Sequence, residues 1–197
     1  GEGLELKVWQ FESFVGLESV DSRENWLISF SLPFRFLLPQ LLTGIRMDYQ
    51  FHEKAGFQLA VVNDLNNNGF GDSSIPSALM RFQYQWGDES KYLLGTSVGF
   101  GPEIYRNIVR GGVSPNNHWD FLSNMEFIMN VSPRWTLMGE GTYRHSDSVF
   151  VGGAQKALAG WMSLRGRLSP SWDIIQRLGF EADLDPAGGS TGLGSGA

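Results

Sequence analysis

Few side chains in this sequence have the chemistry of a catalytic site. The 197 residues contain no cysteine and three histidines, His52, His118 and His145. The absence of cysteine excludes a thiolate nucleophile, a disulfide scaffold and any cysteine-ligated metal. His145 stands beside Ser146 and Ser148, the residue types of a serine hydrolase, but adjacency in the sequence is not the geometry of a catalytic triad. We interpret these serines as loop residues and predict no catalytic site.

Oxygen-bearing side chains recur between residues 63 and 72, at spacings that faintly resemble a calcium-binding loop. The segment lacks the glutamate that closes such a loop at its twelfth position, and the histidines have no metal-ligand spacing. Its asparagines, aspartates and glycines are typical of a turn-rich surface loop instead. We therefore expect neither a metal nor a cofactor.

The composition excludes several classes of protein. Lysine and arginine number 15 against 21 acidic residues, a net charge of −6, so the chain is poorly suited to neutralise the phosphates of a nucleic acid. Charged residues make up 18%, below the roughly 25% of ordinary soluble domains. No run of 18 apolar residues exists that could form a transmembrane helix. The length fits a single domain over residues 1–197.

The dominant pattern along the chain is alternation of apolar and polar residues. In the segment 45–51, Ile45, Met47, Tyr49 and Phe51 alternate with polar side chains. Successive side chains of a strand point to opposite faces, so this pattern predicts strands with one apolar and one polar face. Nine such strands are predicted, at residues 4–11, 41–51, 56–63, 75–86, 91–101, 118–131, 135–145, 154–168 and 172–183.

The connections between these strands alternate in length. The short turns are 52–55, 87–90, 132–134 and 169–171, and the long segments are 12–40, 64–74, 102–117, 146–153 and the tail from 184. Long two-faced strands with short turns at one end and long loops at the other are typical of a transmembrane β-barrel. We predict an all-β fold, an antiparallel up-and-down meander that is part of such a barrel.

Aromatic residues indicate which face meets the membrane. Trp86, Tyr92, Trp135 and Trp172 lie on the apolar face beside the short turns, as an aromatic girdle at a membrane interface would. In the alternative, a soluble lipocalin-like barrel, the apolar face would point into the lumen and the polar face to water. Water-facing strands are usually rich in lysine and glutamate, and lysine is scarce here, which favours the membrane barrel.

The odd number of predicted strands bears on domain organisation. Single-chain bacterial barrels have even numbers of strands. The first and last predicted strands run in the same direction, so joining them would require a parallel seam. We therefore expect residues 1–197 to be a piece of a larger barrel with unpaired edges, and residues 184–197 to be a truncated, loop-like tail.

Several short segments match a known family. They are Gly16-Leu17-Glu18, Asn25-Trp26, Pro39, Thr43-Gly44, Arg177, Glu181, Asp185-Pro186-Ala187-Gly188 and Thr191-Gly192. Over nearly its whole length the chain resembles the OmpL-like β-barrel porins, although Asp64 follows Asn63 where that family has an Asn-Gly-Trp-type loop. The resemblance implies a barrel of more strands in the outer membrane of a Gram-negative bacterium, surrounded by membrane lipid. It also implies passage of small hydrophilic solutes and no catalytic residues.

The polar face supplies mixed charge to the predicted lumen. These side chains could line a wet pore whose local fields tune ion preference, and they could also pair across strands to satisfy a polar interior. The two interpretations are compatible, and neither predicts strong selectivity. The predicted pore-lining residues are Arg46, Asp48, Arg81, Gln83, Glu126, Glu140, Arg144, Arg165, Arg167, Arg177 and Glu181.

The segment 12–40 is too long for a plain loop, and its stretch 30–39 is apolar enough to require burial. One hypothesis folds it into the lumen as a constriction to which Glu12, Glu18 and Arg35 contribute charge. The other packs it on neighbouring loops as a cap over the barrel rim.

The leading functional hypothesis is a porin for passive diffusion. The alternatives are a structural or surface-binding barrel without an open pore and an outer-membrane lipid hydrolase.

Overall fold

The computed structural model is dominated by long strands. It describes residues 3–65, 75–88, 91–103, 106–107, 112–113, 118–146 and 155–184. The elements within these ranges are β1 (Gly3–Glu12), α1 (Leu32–Phe36), β2 (Leu41–His52), β3 (Ala55–Val62), β4 (Ser77–Trp86), β5 (Tyr92–Glu103), β6 (Arg106–Asn107), β7 (Gly112–Val113), β8 (His118–Ser132), β9 (Trp135–Ser146), β10 (Gln155–Ser169) and β11 (Trp172–Asp183).

Nine of these strands form one antiparallel sheet in chain order, β1-β2-β3-β4-β5-β8-β9-β10-β11. The predicted all-β up-and-down meander is confirmed, and each predicted strand matches an observed strand to within two residues at either end. The segment 102–117, predicted as a loop, also contains a small hairpin of β6 and β7. Its two-residue strands are too short to show an alternating pattern, so the sequence gives no signal for them.

The sheet exposes apolar side chains on one face and covers polar side chains on the other. On β4, Met80 and Phe82 are exposed, whereas the side chain of Arg81 between them is only 13% exposed. On β8, Met125 is exposed beside a fully buried Glu126. We call the face of Arg81 and Glu126 the inner face and the opposite one the outer face. Soluble proteins bury apolar groups and expose charges, so this arrangement fits an apolar solvent such as lipid outside the sheet.

The first and last strands are the edges of the sheet. Within the described residues, β1 pairs only with β2 and β11 pairs only with β10. Because nine consecutive strands alternate in direction, β1 and β11 run parallel to each other. Each of these two strands therefore has one row of backbone groups that is not paired to another strand of the sheet.

The only helix in the described part of the chain is α1, which has five residues and lies within the segment 12–40. Ser31 precedes it, and the Oγ of Ser31 accepts a hydrogen bond from Phe34 N at 3.3 Å, a typical N-terminal cap. No described helix is long and apolar enough to cross a membrane. Residues 66–72 of the calcium-like segment, the loop 147–154 and the tail 185–197 lie outside the described residues.

The exposed apolar face predicts that a charge added to it lowers the free energy of unfolding more near the middle of a strand than beside a turn. Met125 and Val131 are both 58% exposed on the outer face of β8, but Met125 lies near mid-strand and Val131 beside the short turn. With lipid around the sheet, Met125→Arg lowers the free energy of unfolding by about 2–4 kcal/mol and Val131→Arg by at most about 1 kcal/mol. Denaturant titration of protein folded into vesicles measures both values. Equal effects of the two substitutions would contradict a lipid-facing β8.

Candidate functional site

The inner face is covered by residues 13–40, which we call the inner segment. A hydrogen bond from Ser13 N to Gln40 O (2.9 Å) closes its base at the long-segment end of the sheet. Farther along, the ring of Trp26 lies 5.2 Å from the guanidinium carbon of Arg165, near the short turn that ends β10. The inner segment therefore extends along much of the strand length.

An apolar cluster holds the base of the inner segment. Leu79 and Leu122 contribute to it from β4 and β8, and both are fully buried on the inner face. The alternating pattern assigned that face to polar residues, so the analysis of the sequence missed these two leucines. Burial of each such side chain contributes about 1.5–3 kcal/mol. The cluster consists of Phe14, Val15, Leu38, Leu42, Ala60, Val62, Leu65, Leu79 and Leu122.

Glu18 joins the inner segment to β11. Its Oε1 accepts a hydrogen bond from Arg177 Nη1 (2.6 Å), and its Oε2 accepts bonds from Ser31 N (2.8 Å) and Ser31 Oγ (2.5 Å). Arg177 also donates to the backbone carbonyl and the hydroxyl of Ser29, and its guanidinium lies over the buried ring of Trp161. Removing one partner of a buried ion pair costs about 3–5 kcal/mol, so this cluster is a strong attachment point.

Glu140 of β9 holds the turn at Gly16. The amide of Leu17 donates to Glu140 Oε2 at 2.9 Å. Gly16 has a φ of +89°, and a Cβ added there would lie 2.7 Å from Leu38 Cδ1 and 3.0 Å from Glu140 Oε2. Glycine satisfies both the left-handed backbone and the close approach. The Gly16-Leu17-Glu18 segment, which supported the family resemblance, thus contacts two strands of the inner face.

A second ion pair spans β5. Arg81 of β4 binds Glu126 of β8, and at this level β5 presents only Gly95 and Ser97 to the inner face. The flanking strands β4 and β8 lie about 10 Å apart. Long charged side chains can bridge this distance when the strand between them carries small residues. A Cβ at Gly95 would lie 2.7 Å from Glu126 Cγ. Glycine at this position therefore makes room for the ion pair.

Polar contacts continue onto β9. Asn124 Nδ2 donates to Thr142 Oγ1 at 2.9 Å, so β8 and β9 are linked inside the sheet. Arg144 binds the fully buried Asp120 and also donates from Nη1 to the carbonyl oxygen of Leu37 at 2.7 Å. Arg144 is therefore a further attachment of the inner segment. Asp120 was not among the predicted residues, although its place between two aromatic residues gives the same alternating signal.

The predicted constriction residues are not brought together. Glu18 is buried against the sheet, whereas Glu12 Oε1 accepts a hydrogen bond from Val20 N at 2.5 Å. Arg35 is exposed on α1, with its guanidinium carbon 5.5 Å from the ring centroid of Phe36. Glu18 binds Arg177 of the inner face through its carboxylate, whereas Glu12 contacts Arg46 only through its backbone carbonyl, which accepts a hydrogen bond from Arg46 Nη1 at 3.3 Å. A role for the three in narrowing a pore stays a prediction.

The other predicted pore-lining arginines are mostly paired on the inner face. Arg46 Nε lies 2.7 Å from Asp48 Oδ1 on β2. On β10, Arg165 and Arg167 both bind Asp173 of the neighbouring strand. The pairs with Asp173 cross between strands, which is the pairing that the polar interior was expected to require, whereas Arg46 and Asp48 pair within one strand. Contact of these side chains with a permeating solute stays a prediction.

Two of the predicted pore-lining residues, Gln83 and Glu181, are less enclosed by neighbouring side chains than the buried ion pairs are. Gln83 is half-buried on β4, opposite Gly56 of β3 and Gly95 of β5. Glu181 is exposed on the edge strand β11.

Trp161 is a buried residue of the inner face, on β10, that was not predicted, because its strand shows only a weak alternation in the sequence.

Aromatic side chains flank the outer face at both ends of the strands. The predicted girdle residues all lie beside short turns, and they are Trp86, Tyr92, Trp135 and Trp172. Trp86 and Tyr92 stack with ring centroids 5.4 Å apart. Near the opposite end, Phe100 and Trp119 stack at 4.7 Å, a pair that the sequence analysis did not single out. Contact of either group with a membrane interface stays a prediction.

Cavities lie on both sides of Trp26. The larger, about 610 Å³, lies at the short-turn end and is lined by Lys91 and Arg165 among others. The smaller, about 210 Å³, is lined by Glu18 of the inner segment. Trp26 and Ile128 line both cavities. The two spaces are therefore neighbours that share part of their lining.

The described residues contain no group of three or more histidine, aspartate and glutamate side chains that could hold a metal ion. His145 belongs to the outer-face parity of β9, opposite that of Arg144, while Ser148 lies outside the described residues.

In the exposed part of the inner segment, hydrogen bonds from Arg23 lower the pKa of Asp21 below its ordinary value. This pair lies in water, where such interactions contribute little.

The nine strands form an up-and-down sheet with an apolar outer face and charged residues on the inner face. Aromatic residues lie at both ends of the strands. This is the architecture of a porin-like β-barrel. A family model described as "Putative beta-barrel porin-2, OmpL-like" matches residues 1–197, and the chain belongs to this family. The resemblance noted from the sequence is thereby confirmed. No curated protein matches the chain, and no solved structure matches it.

The turn at Gly16 predicts a specific effect of adding one methyl group. Gly16→Ala places a Cβ against Leu38 and Glu140 in a left-handed conformation, so we expect the free energy of unfolding to fall by about 1–3 kcal/mol. Gly141→Ala is the matched control on β9, because a Cβ there meets no atom within 4 Å. Denaturant titration of both variants measures the difference. A Gly16→Ala variant as stable as Gly141→Ala would contradict the docked turn.

Proposed function

We propose that this chain forms the wall of an outer-membrane porin through which small hydrophilic solutes diffuse passively. The observation that carries the proposal is the placement of exposed apolar side chains on the outer face and covered charged side chains on the inner face. A barrel wall of this kind is stable between lipid and an aqueous lumen. Membership of the porin family supports the same conclusion.

Unpaired polar atoms on the inner face support a wet lumen. Ser97 Oγ, Asn124 Oδ1 and Trp161 Nε1 are buried and have no hydrogen-bond partner among the described residues. Ser97 lies in register with Arg81 on one side and Asn124 on the other, so its hydroxyl sits among polar groups. Buried polar atoms of this kind are normally satisfied by water. Water beside the inner segment is what a diffusion pathway requires.

In the proposed porin, the inner segment narrows the lumen, and solutes pass through the space beside it. Its attachments are ion pairs and hydrogen bonds rather than a continuous apolar interface, apart from the cluster at its base. The cavities on either side of Trp26 mark a route from the short-turn end toward Glu18. Trp26 is the side chain that a solute on this route would have to pass.

We propose that further strands of the natural protein complete the barrel. In lipid, each unpaired backbone group at an open edge costs several kcal/mol, so β1 and β11 require partners. These two strands run parallel, and an odd number of added strands would give an even-stranded barrel with antiparallel neighbours throughout. The outer membrane of a Gram-negative bacterium is the setting in which such barrels occur.

A second candidate is a structural or surface-binding barrel whose lumen is blocked. The observation that favours it is the fully buried cluster of Leu42, Leu79 and Leu122 under the inner segment, which closes part of the lumen near the long segments. A soluble lipocalin-like barrel is disfavoured, because its apolar face would point inward. The lipid-hydrolase alternative rests only on the adjacency of His145, Ser146 and Ser148 in the sequence. We propose a non-enzymatic channel.

Loosening the inner segment is expected to widen the pore. Glu18→Ala removes the acceptor of Arg177 and Ser31, so the segment loses its attachment to β11 and single-channel conductance rises at least about twofold. Asp21→Ala is the matched control, since it removes only exposed contacts with the guanidinium and the backbone amide of Arg23 in the same segment and leaves conductance unchanged. Planar-bilayer recordings of the full-length natural protein measure both. Open channels with the same conductance in all three proteins would contradict a narrowing role.

Completion of the barrel by further strands is tested with two lengths of the same protein. We expect steady channels from the full-length natural protein and absent or erratic conductance from residues 1–197 alone, because open edges are unstable in lipid. Planar-bilayer recordings at equal protein concentration compare the two. Steady channels from residues 1–197 alone would contradict the need for more strands. A full-length protein that never conducts would favour the blocked barrel.

A further inference from the structure

We propose that the larger cavity is a binding site for small solutes that carry two or more carboxylate, phosphate or sulfate groups. We call it the basic vestibule and define it by Lys91, Arg134, Arg165, Arg167 and Trp26, which line it at the short-turn end. The proposal rests on the proposed porin function, to which it adds a solute class. The mixed charges of the lumen as a whole predicted no strong selectivity.

The charge of the basic vestibule is strongly one-sided. Its lining contains the four basic side chains of Lys91, Arg134, Arg165 and Arg167, and a single acidic residue, Asp88. These residues come from two different strand connections, β4–β5 and β8–β9, and from β10, so the fold collects them from distant parts of the sequence. A concave site lined by one sign of charge raises the local concentration of solutes of the opposite sign.

The partners of these cations leave part of the charge free. Arg165 and Arg167 share one carboxylate, that of Asp173 on β11. Among the described residues, neither Lys91 nor Arg134 makes an ion pair with a carboxylate. The ammonium of Lys91 lies 5.4 Å from the ring centroid of Tyr92, a contact that leaves its charge uncompensated, so an incoming anion would meet two cations that need not give up a carboxylate partner. Arginine also presents a planar fork that matches the geometry of carboxylate and phosphate groups.

The dimensions fit one small molecule. A volume of about 610 Å³ lies within the range of roughly 300–1,000 Å³ that is usual for small-molecule sites. A sphere of that volume has a radius of roughly 5 Å, which is less than the Debye length of about 8 Å at physiological ionic strength. All four cations can therefore act on one bound anion. Asn130 and Thr136 add neutral hydrogen-bonding groups to the lining.

The positive charge is local and is not a property of the whole lumen. On the other side of Trp26, the smaller cavity is lined by Glu18 and Glu24 together with Arg177. The lining thus changes from basic in the vestibule to mixed in the neighbouring cavity that shares Trp26 with it. An anion entering from the short-turn end would be concentrated in the vestibule before it meets this change of charge.

The experiment measures binding separately from conduction. Isothermal titration of the folded full-length protein with citrate, a trivalent carboxylate, is compared with sucrose, a neutral solute of similar size. We expect citrate to bind, sucrose to give no heat, and citrate affinity to fall as potassium chloride is added. Lys91→Gln and Arg134→Gln should each weaken citrate binding by about threefold to tenfold, the effect of removing one charge near a multivalent anion in water.

Matched variants separate the site from general charge. Lys54→Gln removes a positive charge from another short turn at the same end of the sheet but outside the vestibule, and should leave citrate affinity unchanged. Arg134→Lys keeps the charge and should retain most of the binding. Citrate affinity that is absent in the unsubstituted protein, or that falls equally in Lys54→Gln and Arg134→Gln, would overturn the proposal.

Reversal potentials connect the site to the pore. Under a gradient of potassium chloride, the full-length protein should favour chloride over potassium, and the double variant Lys91→Gln/Arg134→Gln should shift the reversal potential toward potassium. Open channels whose reversal potential is the same in both proteins would overturn the vestibule as a selectivity element while leaving the porin intact. Citrate binding without any channels would refute the porin and leave the anion site standing.

Discussion

Charged side chains inside the sheet require partners, and this electrostatic requirement organises the rest of the structure. An isolated buried charge costs far more than any single packing contact contributes, so carboxylates and guanidiniums of the inner face must be paired or hydrated. Glu126 is paired with Arg81, Asp120 with Arg144 and Glu18 with Arg177. The inner segment takes part in this network, because it supplies one of the carboxylates and several backbone donors and acceptors.

The network in turn explains local features of the wall. Pairing across an intervening strand is possible only where that strand carries small residues, as at Gly95 of β5. Docking of the inner segment on Glu140 requires a left-handed turn without a side chain, which Gly16 provides. Glycines at these positions are thus consequences of charge pairing and close backbone approach. The outer face is free of these demands, and it carries the large apolar side chains.

The strands could be predicted from the sequence because the two faces of a barrel wall meet different solvents. Alternation along β4 and β8, broken at a few residues such as Leu79 and Leu122, therefore predicted both the boundaries and the faces, and the lengths of the turns predicted the meander. The attachments could not be predicted in the same way. Glu18 and Arg177 are 159 residues apart, and nothing local in either segment indicates that they meet.

Two further features could not be predicted from the sequence, because they too depend on contacts between distant parts of the chain. Leu79 and Leu122 point inward because the inner segment brings an apolar base into the lumen, and the parity of their strands alone indicated a polar face. The basic vestibule is assembled from side chains of two turns and of β10, so no stretch of sequence is basic enough to reveal it. Periodicity predicts secondary structure and faces, whereas a site formed by convergence becomes visible only in three dimensions.

The central claim is that this wall separates lipid from a polar lumen, and β8 offers the most direct measurement. The chain has no cysteine, so single cysteines can be placed and labelled with a fluorophore at each position from 120 to 131 without removing native thiols. The account predicts that brominated lipid acyl chains quench labels at odd-numbered positions, the side of Met125, and leave even-numbered positions, the side of Glu126, unquenched. Quenching of the even-numbered positions instead, or quenching without a two-residue period, would contradict it.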